Sequence, residues 1–449
     1  MFNEGREFNM KRLSELTCIS NSDHIRKQIE REYERTGGVF RLAPAWVGRP
    51  GIIIPGRRIK LRDDYLSQDL AVNERWLAST TFADNGVYNK VCPSDHGLSY
   101  LVVGEAKIKL KEAIEECGEL LLGKGRAWDV LPKFFDNWHR IPNHLHPCDE
   151  HCSAGLKGKP ESYYFPEELN MNRNAFPSTA FGVDPSFSDA QILAYLMHYF
   201  AGDNRLTDLG STINLTPGTG WFMPPCTLHA PGSLVTYELQ VASDVTCIPE
   251  SRVNDMVMPP DLVDRDIPVK VAQKGMGEVS RYILSMIRCR NSGNGESFRA
   301  EYFRPPVPID GGKEGGQSWL IYRTGKASEA KNPDLYSAKK TVVSSGRTID
   351  IGEQAAFGAV VLSGHGSVGV PGKEPLAIES ASMFPTRDAP GGDEFFVAAG
   401  AASRLRFACA SIEQMAIYQH FASGCNPQAV SLGIPEYRSF SSVPAGDPG

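Results

Sequence analysis

This chain of 449 residues lacks several features that would place it in a class at once. It has no apolar run approaching the roughly 20 residues that cross a bilayer, and its first residues, MFNEGREFNMKRLSEL, contain no apolar core of a secretory signal. It has no excess of basic residues either, since 53 Asp and Glu outnumber 47 Lys and Arg. We therefore expect neither a membrane protein nor a nucleic-acid binder.

The chain also has no dense cysteine framework, short-period repeat, low-complexity run or phosphate-binding glycine loop. Its ten cysteines are spread from Cys18 to Cys425. Spacing of this kind is typical of reduced thiols, and it predicts a cytoplasmic protein. Oligomeric state is not indicated by the sequence.

Glycine (43) and proline (31) are frequent, which favours many short strands joined by turns. The turn rhythm predicts a mainly β fold of sandwich or barrel modules with added α-helices. Two β-rich blocks are expected, residues 66–260 and 265–425. A helical and irregular extension over 1–65 precedes them, and a tail over 426–449 follows.

Apolar spacing, caps and glycine stops predict the helices. They are expected at 22–36 with Ser22 or Asp23 as the cap, at 105–122, at 188–200 and at 278–288. A short strand is predicted at 51–54.

The segment IPNHLHPCDEHCSAGLKGKPESYYF, residues 141–165, carries the strongest chemical signal. On a strand, His144 and His146 point to one face, because side chains repeat every two residues. Glu161 follows in a second strand-like segment, and a hairpin could return its carboxylate to the same point. His229 comes much later, in FMPPCTLH. Three imidazoles and one carboxylate suit zinc, iron, manganese, nickel or copper.

A second metal-binding interpretation involves Cys148, His151 and Cys152. These residues could hold a structural zinc ion, but the spacing lacks the second pair of ligands that a zinc finger supplies.

Two further polar residues are candidates for proton transfer. Lys159 precedes Glu161 by two positions, so it shares a face with Glu161 on a strand and can serve there as an acid–base group. The alternative is a solvated turn lysine. Glu238 lies in the strand-like TYELQ, where it belongs either to a polar site or to an exposed strand face.

These segments, in this order, resemble the type I phosphomannose isomerases, which are bicupin proteins. The matching stretches are NERWLAST (73–80), VLPKFFDNWHRIPNHLHPCDE (130–150), GKPESYY (158–164) and LTPGTGWFMPPCTLHAPGSLVTYELQVASDVT (215–246). The resemblance covers roughly residues 56–250. It implies two jelly-roll β-barrels, of which the first binds metal and the second is metal-free.

Carried over residue by residue, the resemblance places zinc ligands at His144, His146, Glu161 and His229, and a site lysine at Lys159. Zinc is the metal it implies, with manganese, iron, nickel or cobalt as alternatives. The implied reaction is aldose–ketose isomerisation of a sugar or sugar phosphate through an enediol. Lys159, from the resemblance, and Glu238, from its place in TYELQ, are our candidates for the acid–base groups.

Four positions depart from the family pattern. His144 replaces a glutamine, Cys226 a glycine, Pro142 a serine, and Cys247-Ile248 a Tyr-Arg pair. Arg252, four residues beyond Ile248, is the candidate to replace the missing arginine. The run of Arg57, Arg58, Lys60 and Arg62 is a second source of positive charge, unless it is solvated surface.

Two other functions stay open on the sequence. The nitrogen-rich ligand set also fits a cupin dioxygenase, lyase or hydrolase. A non-catalytic sugar-binding bicupin would keep the metal without turnover.

Overall fold

The computed structural model of the chain describes residues 15–56, 58–59, 71–171, 177–289, 296–328, 334–380 and 392–433. Three members of the predicted basic run, Arg57, Lys60 and Arg62, lie outside the described residues, as does the end of the expected tail, 434–449.

Most regular structure in the described residues is β. The strands, in chain order, are β1 (Thr17–Cys18), β2 (Val39–Ala43), β3 (Ala45–Gly48), β4 (Val72–Trp76), β5 (Tyr100–Val103), β6 (Ala106–Lys109), β7 (Val130–Phe135), β8 (Glu161–Tyr164), β9 (Ser178–Phe181), β10 (Ser211–Asn214), β11 (Gly220–Met223), β12 (His229–Ala230), β13 (Thr236–Val241), β14 (Arg252–Val253), β15 (Met256–Val257), β16 (Phe303–Arg304), β17 (Val307–Lys313), β18 (Gly316–Tyr322), β19 (Tyr336–Val343), β20 (Thr348–Ile351), β21 (Phe357–Ser363), β22 (His365–Gly369), β23 (Leu376–Glu379), β24 (Glu394–Val397), β25 (Leu405–Cys409) and β26 (Met415–Ala422).

Helices are fewer and mostly short. They are α1 (Ser22–Thr36), α2 (Leu110–Leu122), α3 (Asp189–Met197), α4 (Val269–Ala272), α5 (Met276–Cys289), α6 (Glu296–Tyr302), α7 (Ala399–Ala402) and α8 (Pro427–Ser431). No helix among the described residues is long and apolar enough to span a membrane.

Helix α1 has the predicted span, but its cap is Asn21 rather than Ser22 or Asp23. The Asn21 side chain accepts a hydrogen bond from the backbone N–H of His24 at the first turn. The helix ends at Gly37, whose φ of 73° places it in the left-handed region that glycine adopts without strain.

Two local predictions are wrong. The predicted helix over 105–122 begins only at Leu110, because Ala106–Lys109 pairs with β5 as strand β6. No strand forms at 51–54, where Gly51 lies in a turn. Strands β2 and β3 lie just before this turn instead.

Two large sheets dominate the fold. A ten-stranded sheet has the order β1-β6-β5-β2-β24-β21-β26-β19-β18-β17, and a seven-stranded sheet has the order β16-β11-β8-β13-β7-β4-β3. Three smaller sheets, β10-β9-β12, β14-β15 and β20-β25-β22-β23, accompany them. The mainly β expectation is confirmed.

The ten-stranded sheet joins the two ends of the chain. Strand β2 pairs with β24, with Phe40 opposite Phe396, so early strands extend the sheet built by the second block. The expected units 1–65, 66–260 and 265–425 therefore do not coincide with separately hydrogen-bonded sheets. Pairing covers an edge of the later sheet that would otherwise be exposed.

The two large sheets pack together through aromatic residues. Tyr237 of β13 lies 5.7 Å from the ring of Tyr322 and 5.6 Å from that of Tyr418, both in the ten-stranded sheet. Because side chains alternate along a strand, Glu238 of β13 points away from this core. The opposite face of the seven-stranded sheet is therefore free to carry polar groups.

Candidate metal centre

Three histidines converge beside the polar face of the seven-stranded sheet. His144 and His229 are joined by two backbone hydrogen bonds, of 2.9 and 2.8 Å, and their ring centroids are 4.1 Å apart. One ring nitrogen of each of His144, His146 and His229 lies within 4.8 Å of the other two. All three side chains are buried.

The ring orientations are set by hydrogen bonds to the backbone. Each Nδ1 contacts a carbonyl oxygen: that of Pro142 for His144 (2.8 Å), Val245 for His146 (2.6 Å) and Thr227 for His229 (2.8 Å). A carbonyl oxygen can only accept, so each Nδ1 carries the proton and each Nε2 keeps a lone pair. Metal-binding histidines are commonly oriented in this way.

Glu161 completes the group as the first residue of β8. Its Oε1 lies 2.9 Å from Nε2 of His146, and its Oε2 lies 3.3 Å from Nε2 of His229. Glu161 does not reach the histidines through the expected hairpin. Strand β8 instead pairs with β11 and β13, which place Met223 and Gln240 opposite Glu161.

Two neighbours hold the Glu161 carboxylate. The Nζ of Lys159 lies 2.7 Å from Oε1, and the hydroxyl of Tyr163 donates to Oε2 at 2.6 Å. Burial opposes the charge, but the Lys159 ammonium beside it holds the pKa of Glu161 well below its ordinary value. Lys159 itself is buried, which excludes the solvated turn lysine.

The residues present fit a metal cation. Burial lowers the pKa of His146 to about 4, and burial with the adjacent His229 lowers that of His144 well below its usual range. Neutral imidazole lone pairs therefore face an ionised carboxylate. Among the described residues, Nε2 of His146 and of His229 finds no hydrogen-bond partner. A cation between these atoms removes the repulsion.

Glu238 lies on β13, the strand that pairs with β8, and it is not on an exposed face. It is buried, and its Oε2 lies 3.4 Å from Nζ of Lys133. Burial and the nearby Glu161 carboxylate raise the pKa of Glu238 well above its ordinary value. Its Oε1 has no hydrogen-bond partner in the described part of the chain.

A cavity of about 90 Å³ opens onto these side chains. His144, Lys159, Glu161 and Glu238 line it, and Pro142 is part of its wall. The structure therefore brings together the predicted histidine, lysine and carboxylate positions. A separate cleft of about 430 Å³, near Cys148, includes none of the three histidines in its lining.

Arg252 is not at this cavity. It is exposed at the start of β14, in a short ribbon that turns at Asn254 and Asp255, and it is not among the residues that line the cavity. The arginines that line the cavity are Arg49 and Arg265, which the sequence reasoning missed. Both lie in irregular segments, where no side-chain alternation indicates which residues face the cavity.

The cavity cations are paired with carboxylates. Nη2 of Arg49 lies 2.9 Å from Asp244, and Nη2 of Arg265 lies 2.7 Å from Asp84. Arg58, the described member of the basic run, pairs at 2.7 Å with Asp136.

The comparisons agree with this fold. No protein-family model matches the chain, and no curated protein matches its sequence. The structure is similar to that of mannose 6-phosphate isomerase from Bacillus subtilis, with a TM-score of 0.56 and 14% identity over 85% of this chain and 99% of that chain.

Two further solved structures show the same likeness. A zinc-bound mannose 6-phosphate isomerase and a variant of the phosphomannose isomerase from Salmonella typhimurium each have a TM-score of 0.55 and 12% identity, covering 86% of this chain and 100% of theirs. The expected resemblance to phosphomannose isomerases is thereby confirmed as a similarity of fold.

Proposed function

We propose that this chain is a metal-dependent aldose–ketose isomerase acting on a sugar or sugar phosphate. The observation that carries the proposal is the unpartnered Nε2 atoms of His146 and His229, which face the Glu161 carboxylate beside a cavity that His144, Lys159 and Glu238 also line. The fold shared with phosphomannose isomerases supports it. We take the two β-rich blocks to be cupin modules, the first of which holds the metal.

The metal ligands in this proposal are His144, His146, Glu161 and His229. This donor set fits zinc first, with manganese, iron, nickel or cobalt as alternatives. When bound, the metal polarises the carbonyl and hydroxyl oxygens of the sugar as a Lewis acid.

Glu238 and Lys159 are the proposed acid–base groups. Isomerisation requires removal of the proton on C2, and the electron pair of that C–H bond forms the double bond of an enediol while the C1 oxygen gains a proton. A proton then returns to C1, and the C2 hydroxyl proton leaves. Glu238, with its free Oε1, removes the proton from C2 and returns a proton to C1. Lys159 transfers the protons that the C1 and C2 oxygens gain and lose.

The positive charges at the cavity indicate whether a phosphorylated substrate would be favoured. Arg49, Lys133, Lys159 and Arg265 are each already beside a carboxylate. A phosphate group would have to compete with these carboxylates for the described cations. We therefore expect free sugars to be turned over at least as well as phosphorylated ones.

In this proposal the protein is cytoplasmic, where its ten cysteines, none of which is in a disulfide, stay reduced.

The test combines metal analysis with solvent-deuterium uptake into a panel of free and phosphorylated aldoses and ketoses. We expect deuterium at C2 of an aldose, dependent on added metal. Bound iron without any exchange would favour an oxygenase or another cupin metalloenzyme. Thermal stabilisation by a sugar without exchange would indicate a binding protein.

A further inference from the structure

A second set of metal-ligating side chains lies apart from the histidine centre. It consists of Cys148, His151, Cys226 and Cys289, whose ligand atoms all lie within 4.8 Å of one another. The sequence interpretation grouped Cys148 and His151 with Cys152. In the structure, Cys226 and Cys289 take the remaining places, and they come from segments far away along the chain.

We propose that these four residues form a structural zinc site of the Cys₃His type. Zinc prefers thiolate and imidazole ligands in tetrahedral geometry, with Zn–S distances of about 2.3 Å and hence sulfur–sulfur separations of about 3.8 Å. A cluster with all ligand atoms inside 4.8 Å can close on one ion by small side-chain movements.

The local structure directs these groups to one point. Cys148 and His151 are separated by one 3₁₀ turn, and Sγ of Cys148 lies 2.8 Å from Nδ1 of His151. Tyr282 of α5 donates its hydroxyl to the carbonyl of His151 and packs its ring at 5.5 Å from the imidazole. Cys289 lies two turns further along the same face of α5.

The backbone at Cys226 is a second, independent indication. Its φ is +65°, in the left-handed region that favours glycine, and its side chain is fully buried. A buried cysteine that served only as a small apolar side chain would not need this conformation. A ligand role explains why a side chain is present where the backbone favours glycine.

This site would brace the histidine centre. The backbone N–H of Cys226 donates to the carbonyl of His146 at 2.7 Å, and Cys148 follows His146 by two residues. Cys226 also precedes His229 by three residues. One ion would therefore fasten both histidine-bearing segments to helix α5.

The experiment measures zinc per chain in the full-length protein and the spectrum of the cobalt-substituted protein. We expect two zinc equivalents and a sulfur-to-cobalt charge-transfer band. Cys289→Ser and Cys226→Gly should each lower the zinc content from two to one and abolish that band. Cys152→Ser, the matched control beside the cluster, should keep both.

Cys226→Gly separates a ligand role from a packing role. If Cys226 is only a core residue, glycine relieves the left-handed backbone and the variant keeps its metal and melts no lower than the parent. That result, or a Cys148–Cys226 disulfide found by mass spectrometry in freshly purified protein, would overturn the proposal. His229→Ala should retain the charge-transfer band, so failure of the histidine centre is recognised separately.

Discussion

The Nε2 nitrogen of His146 lies 2.9 Å from the Oε1 oxygen of Glu161, although the hydrogen bonds of both residues leave no proton between these two atoms. His146 has its proton on Nδ1, which donates to Val245. Such a contact between a lone pair and a carboxylate is unfavourable in a buried site unless a cation lies between the two atoms. The first prediction follows from this contact.

Replacing a ligand should remove metal and stability together. We expect His229→Ala to lose one metal equivalent and the stabilisation that binding confers, about 2.7 kcal/mol at a free metal concentration of 100 times Kd. Metal analysis and melting temperature, measured on the same samples, check this. His365→Ala, at an exposed histidine, is the control. Full metal retention in His229→Ala would remove His229 from the ligand set.

Removing an acid–base group should slow turnover strongly without releasing metal. We expect Lys159→Met and Glu238→Gln each to lower kcat by roughly 10²–10⁴-fold, the usual range for such groups. Both residues are buried at the cavity, whereas Lys157, two positions earlier, is exposed. Lys157→Met is therefore the matched control. Unchanged turnover in either variant would exclude that residue from proton transfer.

The arginines offer a test of which cations meet the substrate. Arg265 lines the cavity and Arg252 is exposed away from it. We expect Arg265→Gln to raise KM about tenfold, which corresponds to about 1.4 kcal/mol, and Arg252→Gln to change kcat/KM by less than about twofold. Steady-state kinetics with the sugar that shows deuterium exchange would decide. The reverse ranking would restore the role that the sequence suggested for Arg252.

Local signals in the sequence predicted some of these features and not others. The four residues His144, His146, Glu161 and His229 could be grouped from motif order, and helix α1 from its caps and spacing. Strand β6 falls inside the predicted helix because its alternation, with Ala106 and Ile108 buried, runs into the helical spacing of the next residues without a break.

Other features depend on contacts between distant segments. Arg49 and Arg265 reach the cavity from irregular chain, and Cys226 meets Cys289 only after α5 packs beside the histidine segments. The residues that flank Cys226 and Cys289 in the sequence do not indicate that these two cysteines lie close together in the fold. Long-range strand pairing, such as that of β2 with β24, is hidden for the same reason.

A buried histidine far from the proposed ligands should make the fold sensitive to acid. His420 is fully buried, with Nδ1 at 3.0 Å from the hydroxyl of Tyr237, and burial lowers its pKa to about 3. In the unfolded chain its pKa returns to about 6.5. The unfolded state therefore takes up a proton as the pH falls below about 6.5, the folded state does not until about 3, and stability is lost across that window.

His420→Asn removes this proton uptake while keeping a polar atom for Tyr237. Between pH 7 and pH 5 we expect the parent chain to lose about 2 kcal/mol more free energy of unfolding than the variant, because each pH unit below the unfolded pKa costs up to about 1.4 kcal/mol. Urea denaturation at the two pH values gives both losses, and His365→Asn, at an exposed histidine, should behave like the parent. Equal losses in the parent and His420→Asn would show that other groups cause the acid sensitivity, since Tyr237 and the surrounding aromatic core are unchanged.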